Sequence, residues 1–301
     1  MRTFIRYSIL TGRMYSNMNH WILGARPRTL SAAVIPVVVG TAASGVGIIW
    51  WRALCALLVA VFLQIATNFA NDYSDGTRGV DGLERLGPKR LVGSGLVAPQ
   101  QVKAAAFLFF GLASVVGFIL SVVVNPWLLL FGVAAIAAGW FYTGGSQPYG
   151  YRGLGEISVF VFFGLGATLG SSYVQSEEIT SLALLVSVSV GLMSCSLLEI
   201  NNLRDIAGDK ESGKKTLAVM LGDRGTRILY VFFVDASLIV GSLAAFSKPW
   251  TVLILMAGLV AFSAVKSVLN GASGKELIPL LSRTSQIQIT AGFFLTLGLV
   301  V

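Results

Sequence analysis

Nine long apolar runs, separated by short polar stretches, constrain this 301-residue chain more than any other feature. They cover approximately residues 29–49, 53–70, 104–124, 126–143, 153–174, 180–200, 228–246, 250–269 and 284–301. A hydrocarbon core of roughly 30 Å needs about 20 apolar residues per helical crossing, so each run has the length of one membrane span. Only 12% of residues are charged and 55% are hydrophobic, which leaves lipid as the solvent for most of the surface. A membrane barrel would alternate with period two, whereas Ser114 to Val124 and Leu182 to Val190 are apolar on every side. The expected fold class is all-α: nine transmembrane helices around a central lipid-accessible cavity.

Residues 1–28 carry five arginines and no apolar core, so they read as a polar N-terminal segment rather than a cleaved signal, followed by one transmembrane domain over 29–301. Cys55 and Cys195 lie inside expected spans without metal or redox spacing and read as small packing residues. The net charge of +8 does not point to nucleic acid, because its distribution follows the membrane. With the N-terminus inside and nine spans, every Lys and Arg except Arg52 and Lys248 falls on inner segments. That asymmetry makes the basic face cytoplasmic and puts the C-terminus on the opposite side. The same cations attract anionic headgroups or a phosphorylated substrate.

The acidic residues cluster on that face. Of fourteen, eight fall in two inner segments near 68–98 and 201–223: Asp72, Asp75, Asp81 and Glu84, then Asp205, Asp209, Glu211 and Asp223. Asn68, Asp72 and Asp75 are spaced i, i+4, i+7, and Asn201, Asp205 and Asp209 i, i+4, i+8, so each set shares a helical stripe. Capping at solvated helix ends accounts for one such cluster; two on the same face call for a positive partner. Hard oxygen donors without histidine or thiolate suit Mg²⁺, which completes its shell with water and phosphate oxygens, and a diphosphate is the natural third party. Arg78, Lys89, Arg90, Lys210, Lys214 and Lys215 supply the surrounding cations. Glu156, Glu199 and Asp235 fall near or within spans, where an ionisable group is paired or functional.

The strings NFANDYSDGTRGVD at 68–81 and NNLRDIAGDKESGKKTLAV at 201–219 resemble the two aspartate-rich motifs of the UbiA superfamily of intramembrane prenyltransferases. GARPRTLSAAVIPVVVGTA at 24–42, RLVGSGLVAP at 90–99 and YTGGSQPYGYRGLGEISVFVFFG at 142–164 are similar to its 1,4-dihydroxy-2-naphthoate polyprenyltransferase branch, which serves menaquinone synthesis. The resemblance covers the chain from Trp21 onward. It implies that Asn68, Asp72, Asp75, Asp205 and Asp209 hold two Mg²⁺ ions against a polyprenyl diphosphate, with Arg78, Lys210, Tyr142 and Arg152 touching the diphosphate and Arg26 serving the substrate entrance. Asn201 and Lys214 complete the expected substrate-binding set. Asp81 stands six residues beyond Asp75, where the simplest superfamily spacing has four. The branch implies an aromatic acid acceptor that loses CO₂ and a bacterial-type cytoplasmic membrane. The alternatives are a sister enzyme acting on 4-hydroxybenzoate or homogentisate, and a transporter, although transport sites lie near the bilayer midplane while these acids flank it.

Overall fold

The computed structural model describes residues 20–79 and 90–301; Asp81, Glu84, Arg85, Lys89 and the residues before His20 lie outside them. Each apolar run becomes a helix, and no strand occurs among the described residues. In chain order they are α1 (Ser31–Ala43), α2 (Trp50–Thr77), α3 (Pro99–Val123), α4 (Trp127–Phe141), α5 (Gly155–Ser176), α6 (Ser181–Glu211), α7 (Leu217–Phe246), α8 (Pro249–Leu269) and α9 (Leu277–Val300). A short helix, His20–Ala25, precedes them.

Six of these, α2, α3, α5, α6, α7 and α8, are long and apolar enough to cross a membrane. The protein is therefore an integral membrane protein. The other three depart from the uniform spans expected of the sequence for identifiable reasons. With 13 and 15 residues, α1 and α4 are short for a 30 Å core. The 24-residue α9 is long enough but carries a polar tract, of which Thr284, Ser285 and Gln288 turn inward. Thr284 bonds Tyr230 at 2.9 Å, Gln288 donates to Ser194 at 3.2 Å, and Ser285 meets Ser31 at 2.9 Å. Such bonds join helices where lipid offers no partner.

Two apolar clusters build the bundle. One gathers α6 to α9 with α1 around Val190, Met193, Tyr230 and Ile287. The other joins α2 and α3 around Phe69, Val102 and Phe110, with Leu91 of the connecting loop. Between them α5 packs closely on both α1 and α6. A Cβ on Gly40 would stand 2.0 Å from the Thr168 carbonyl oxygen, and one on Gly164 2.7 Å from the Gly191 Cα. Small residues let the backbones approach this closely. The middle of α5, Phe160–Leu169, winds as a π-helix.

A bulky residue at Gly40 meets backbone rather than a movable side chain. Gly40→Leu is expected to destabilise by about 1–3 kcal/mol or more, as overpacked sites do, whereas Gly132→Ala, with nothing within 4 Å of the added Cβ, should be neutral. Thermal unfolding of both variants in detergent tests this; equal midpoints would overturn the close α1–α5 crossing.

Candidate active site

Three inter-helix loops meet at the end of the bundle where α2, α4 and α6 terminate, and each brings a group to Asp75. From the α2–α3 loop, the Arg90 guanidinium donates to Asp75 Oδ2 at 3.1 Å. From the α4–α5 loop, the Tyr151 hydroxyl donates to Asp75 Oδ1. From the α6–α7 loop, Lys214 Nζ lies 3.6 Å from Asp75 Oδ2 and 3.5 Å from Asp209 Oδ1. The same ammonium sits 4.6 Å from the centre of the Tyr151 ring, a cation–π contact. Burial first, and then the Asp75 charge, hold the Tyr151 hydroxyl well above the ordinary phenol range, so it remains a donor. The two acid rows thus face each other across one cation.

The second row is held from within its own helix. Arg204, buried on α6, grips Asp205 with two bonds of 2.7 Å and reaches Asn201 Oδ1 at 2.6 Å. Behind it, Asn202 donates to Glu156 Oε1 at 3.0 Å, pinning α6 to the start of α5. Glu199, wholly buried, is an acidic neighbour of Glu156, and neither of its carboxylate oxygens has a hydrogen-bond partner among the described residues. Of the intramembrane acids, Glu156 is held by Asn202 and Glu199 lies buried beside it, while Asp235 stands apart on the exposed face of α7.

Below this charged mouth opens a cavity of about 1570 Å³. Its rim carries Arg26, Asn71, Arg90, Tyr142, Asn201 and Arg204, and its depth is apolar. The α2 stretch from Ala56 to Asn71 lines it, roughly 22 Å at 1.5 Å per residue, which is most of a hydrocarbon core. Phe162, Phe163 and Gly166 of the π-helical part of α5 form the wall facing α2 and α4.

The residues singled out from sequence fall into three groups. Asp75, Asp205, Asp209 and Lys214 come together at the mouth, with Asn201 and Tyr142 on the rim beneath. Arg26 also reaches the rim, from a left-handed backbone (φ 53°, ψ 67°) between the short N-terminal helix and α1. The remaining residues have other partners. Asn68 also lines the cavity, but its amide donates to the Ala25 carbonyl at 2.9 Å and to Thr29 Oγ1 at 3.2 Å, fastening the N-terminal segment. Both Asp72 oxygens accept backbone N–H groups, from Leu91 and Val92 at 2.9 Å each. Arg78 donates to the carbonyls of Thr143 and Gly145, tying α2 to the α4–α5 loop. Lys210 and Arg152 are exposed near the mouth. Among the described residues no three carboxylate, histidine or cysteine side chains converge on one point.

Sequence reasoning passed over Asn71 and Tyr151 as site residues and read Arg90 only as one of the surrounding cations. Asn71 lines the cavity, accepts from Thr143 Oγ1 at 2.8 Å and stands one turn before Asp75, as Asn201 stands before Asp205. The repeated Asn-x-x-x-Asp spacing was the available signal.

Opposed carboxylates and amides over a deep apolar cavity define a helical membrane enzyme built to hold a polar head group at the surface and a long apolar tail within the bilayer. The chain belongs to the UbiA prenyltransferase family, whose model matches residues 33–277. It is 47% identical to the 1,4-dihydroxy-2-naphthoate octaprenyltransferase of Mycobacterium tuberculosis over 88% of this chain and 91% of that one. With the enzyme of the same name from Escherichia coli it shares 34% identity over 96% and 98% of the two chains. Its fold is similar to that of a UbiA homolog from Archaeoglobus fulgidus bound to GPP and Mg²⁺, with a TM-score of 0.71 at 16% identity, over 94% of this chain and 99% of that one.

Arg204→Lys keeps the charge but loses the planar two-point grip. A destabilisation of about 1–2 kcal/mol is expected, from hydrogen bonds to a charged group. Calorimetry in detergent checks it; an unchanged midpoint would show that Arg204 does not hold the second row.

Proposed function

We propose that the protein transfers a polyprenyl group from polyprenyl diphosphate to 1,4-dihydroxy-2-naphthoate, releasing CO₂ and diphosphate and giving demethylmenaquinol, the hydroquinone form of demethylmenaquinone. The observation that carries this reading is the meeting of Asp75 and Asp209 around one cation at the head of a long apolar cavity. The names of the relatives, at 47% and 34% identity over most of both chains, support the naphthoate as acceptor.

The site fits Mg²⁺. An ammonium already occupies the space between Asp75 and Asp209, and the surrounding donors are carboxylate and amide oxygens, the ligands of a hard cation. Asp75, Asp205 and Asp209, with Asn71 and Asn201 beside them, would hold it. When bound there, Mg²⁺ supplies positive charge against the departing diphosphate. Lys214, released from the two carboxylates, is then free to turn toward phosphate oxygens, with Lys210 and Arg152 at the exposed edge. Arg26 and Tyr142 on the rim orient the aromatic acid so that its carboxyl-bearing carbon faces the allylic carbon. The carbon–oxygen bond of the donor breaks, the ring forms the new carbon–carbon bond, and CO₂ leaves its electron pair to the ring. The apolar wall from α2, α4 and α5 excludes water that would otherwise trap the electron-poor prenyl carbon.

In this reading nine helices cross the membrane within a single domain spanning 29–301. The N-terminus and the charged mouth are cytoplasmic and the C-terminus lies on the opposite side. The basic residues of the sequence concentrate before α1 and after the even-numbered helices, and this positive-inside pattern supports the orientation.

Purified protein supplied with the naphthoate and polyprenyl diphosphates of several lengths should give the decarboxylated prenyl product and diphosphate, both identified by mass spectrometry. Asp205→Ala and Asp209→Ala should each reduce turnover roughly 10²-fold or more, with unchanged elution in detergent. Prenylation of another aromatic acid in preference to the naphthoate, or near-normal Mg²⁺-dependent turnover by either variant, would overturn the reading.

A further inference from the structure

Asp72 stands three residues before the carboxylate at the mouth, yet it faces away from it. Its side chain is 1% exposed and does not border the cavity. Both carboxylate oxygens are committed to backbone: Oδ2 accepts from Leu91 N and Oδ1 from Val92 N, each at 2.9 Å. These are charge-assisted bonds to a loop, the strong kind. The segment they hold lies flat on the bundle. A Cβ on Gly76 would stand 2.5 Å from Val92, and one on Gly24 2.6 Å from Leu91, so glycine is what permits the approach. Leu91 is fully buried beside Phe69, and its carbonyl accepts from Leu96 N at 2.9 Å and Val97 N at 3.1 Å, closing the turn.

The residue just before this anchor is Arg90. Its guanidinium lines the cavity and bonds Asp75. Asp75 and Asp72 thus differ in kind. Among the described residues Asp75 is met by the side chains of Arg90, Tyr151 and Lys214, which an incoming cation can displace. Asp72 is bonded instead to main-chain amides, and withdrawing the carboxylate would leave the buried Leu91 N–H and the partly buried Val92 N–H unpaired.

We propose that Asp72 is a positioning residue and not a metal ligand: its carboxylate anchors the 90–92 backbone so that Arg90 is delivered to the mouth, where its guanidinium binds the diphosphate of the donor. This rests on the prenyl-transfer reading above. Arg90 neutralises Asp75 while the site is empty of substrate and, being planar and forked, can grip two phosphate oxygens once a diphosphate arrives.

The test uses the full chain in detergent and four variants, Asp72→Asn, Arg90→Lys, their combination and Asp75→Asn, with turnover measured against donor and against Mg²⁺ separately. Asp72→Asn and Arg90→Lys should each raise the donor KM roughly tenfold, the double variant should be no worse than the poorer single one, and the half-saturating Mg²⁺ should stay within about twofold of wild type. Asp75→Asn should shift the Mg²⁺ requirement instead. Amide hydrogen exchange of the same proteins reads the anchor without any turnover: Asp72→Asn should lose protection at Leu91 and Val92, while Arg90→Lys keeps it. A tenfold rise in half-saturating Mg²⁺ for Asp72→Asn, additive effects of the two substitutions, or unchanged exchange at Leu91 and Val92 would each overturn the proposal. Absence of prenyl transfer by wild-type protein would sink the functional reading instead, and the exchange measurement would still decide whether Asp72 is the anchor.

Discussion

Everything at the functional end of this molecule depends on one electrostatic problem, the approach of Asp75 on α2 to Asp209 on α6. Two carboxylates on separate helices repel, and the repulsion grows as the surrounding dielectric falls. The chain resolves it with Lys214, whose ammonium lies within 3.6 Å of both. Because that lysine belongs to the loop following α6, closing the charge balance also fixes where the α6–α7 connection passes. Arg90 and Tyr151 then add to the shell around Asp75 from two further loops. One neutralised pair therefore sets the relative positions of three connections that are remote in sequence.

The balance at the mouth is upheld from below by polar contacts that lipid could not supply. Asn202 reaches Glu156 across the α5–α6 contact, and Arg204 orders Asn201 and Asp205 along α6. On α9, inward-facing Thr284 and Gln288 tie that helix to α7 and α6. Each would be costly facing hydrocarbon, and each lies where a neighbouring helix offers a partner. The result is a rigid frame around an otherwise apolar cavity, the condition for holding a reactive carbon away from water.

Much of this architecture was legible in the sequence, because hydropathy alone marks where a chain leaves water. All nine apolar runs fall in helices, and the acid clusters lie at one end of the bundle. The lengths of α1 and α4, and the polar inner face of α9, were hidden, since run length does not report where a helix is capped or what it packs against. The first acid row shows the limit most clearly. Residues 68, 71, 72 and 75 contain two overlapping i, i+4 pairs, Asn68 with Asp72 and Asn71 with Asp75. At about 100° per residue the two pairs point some 60° apart. Spacing identifies both and cannot choose between them; the choice is made by what the neighbouring chain presents, an N-terminal segment and a loop backbone on one side and the cavity with Tyr151 and Lys214 on the other.

The π-helical stretch Phe160–Leu169 has an implication for how this protein can vary. Bonds from i to i+5 accommodate an additional residue in each turn relative to i to i+4 bonds. That surplus sets the phase between the half of α5 nearest the charged mouth, where Glu156 meets Asn202, and the distal half, where the Gln175 side chain accepts from Ile49 N at 2.7 Å. Removing one residue would let part of the stretch relax to ordinary winding and rotate one half out of register with the other. Side-chain identity in this wall can drift while volume is conserved, but its residue count cannot, so insertions and deletions are the changes this segment is least able to absorb.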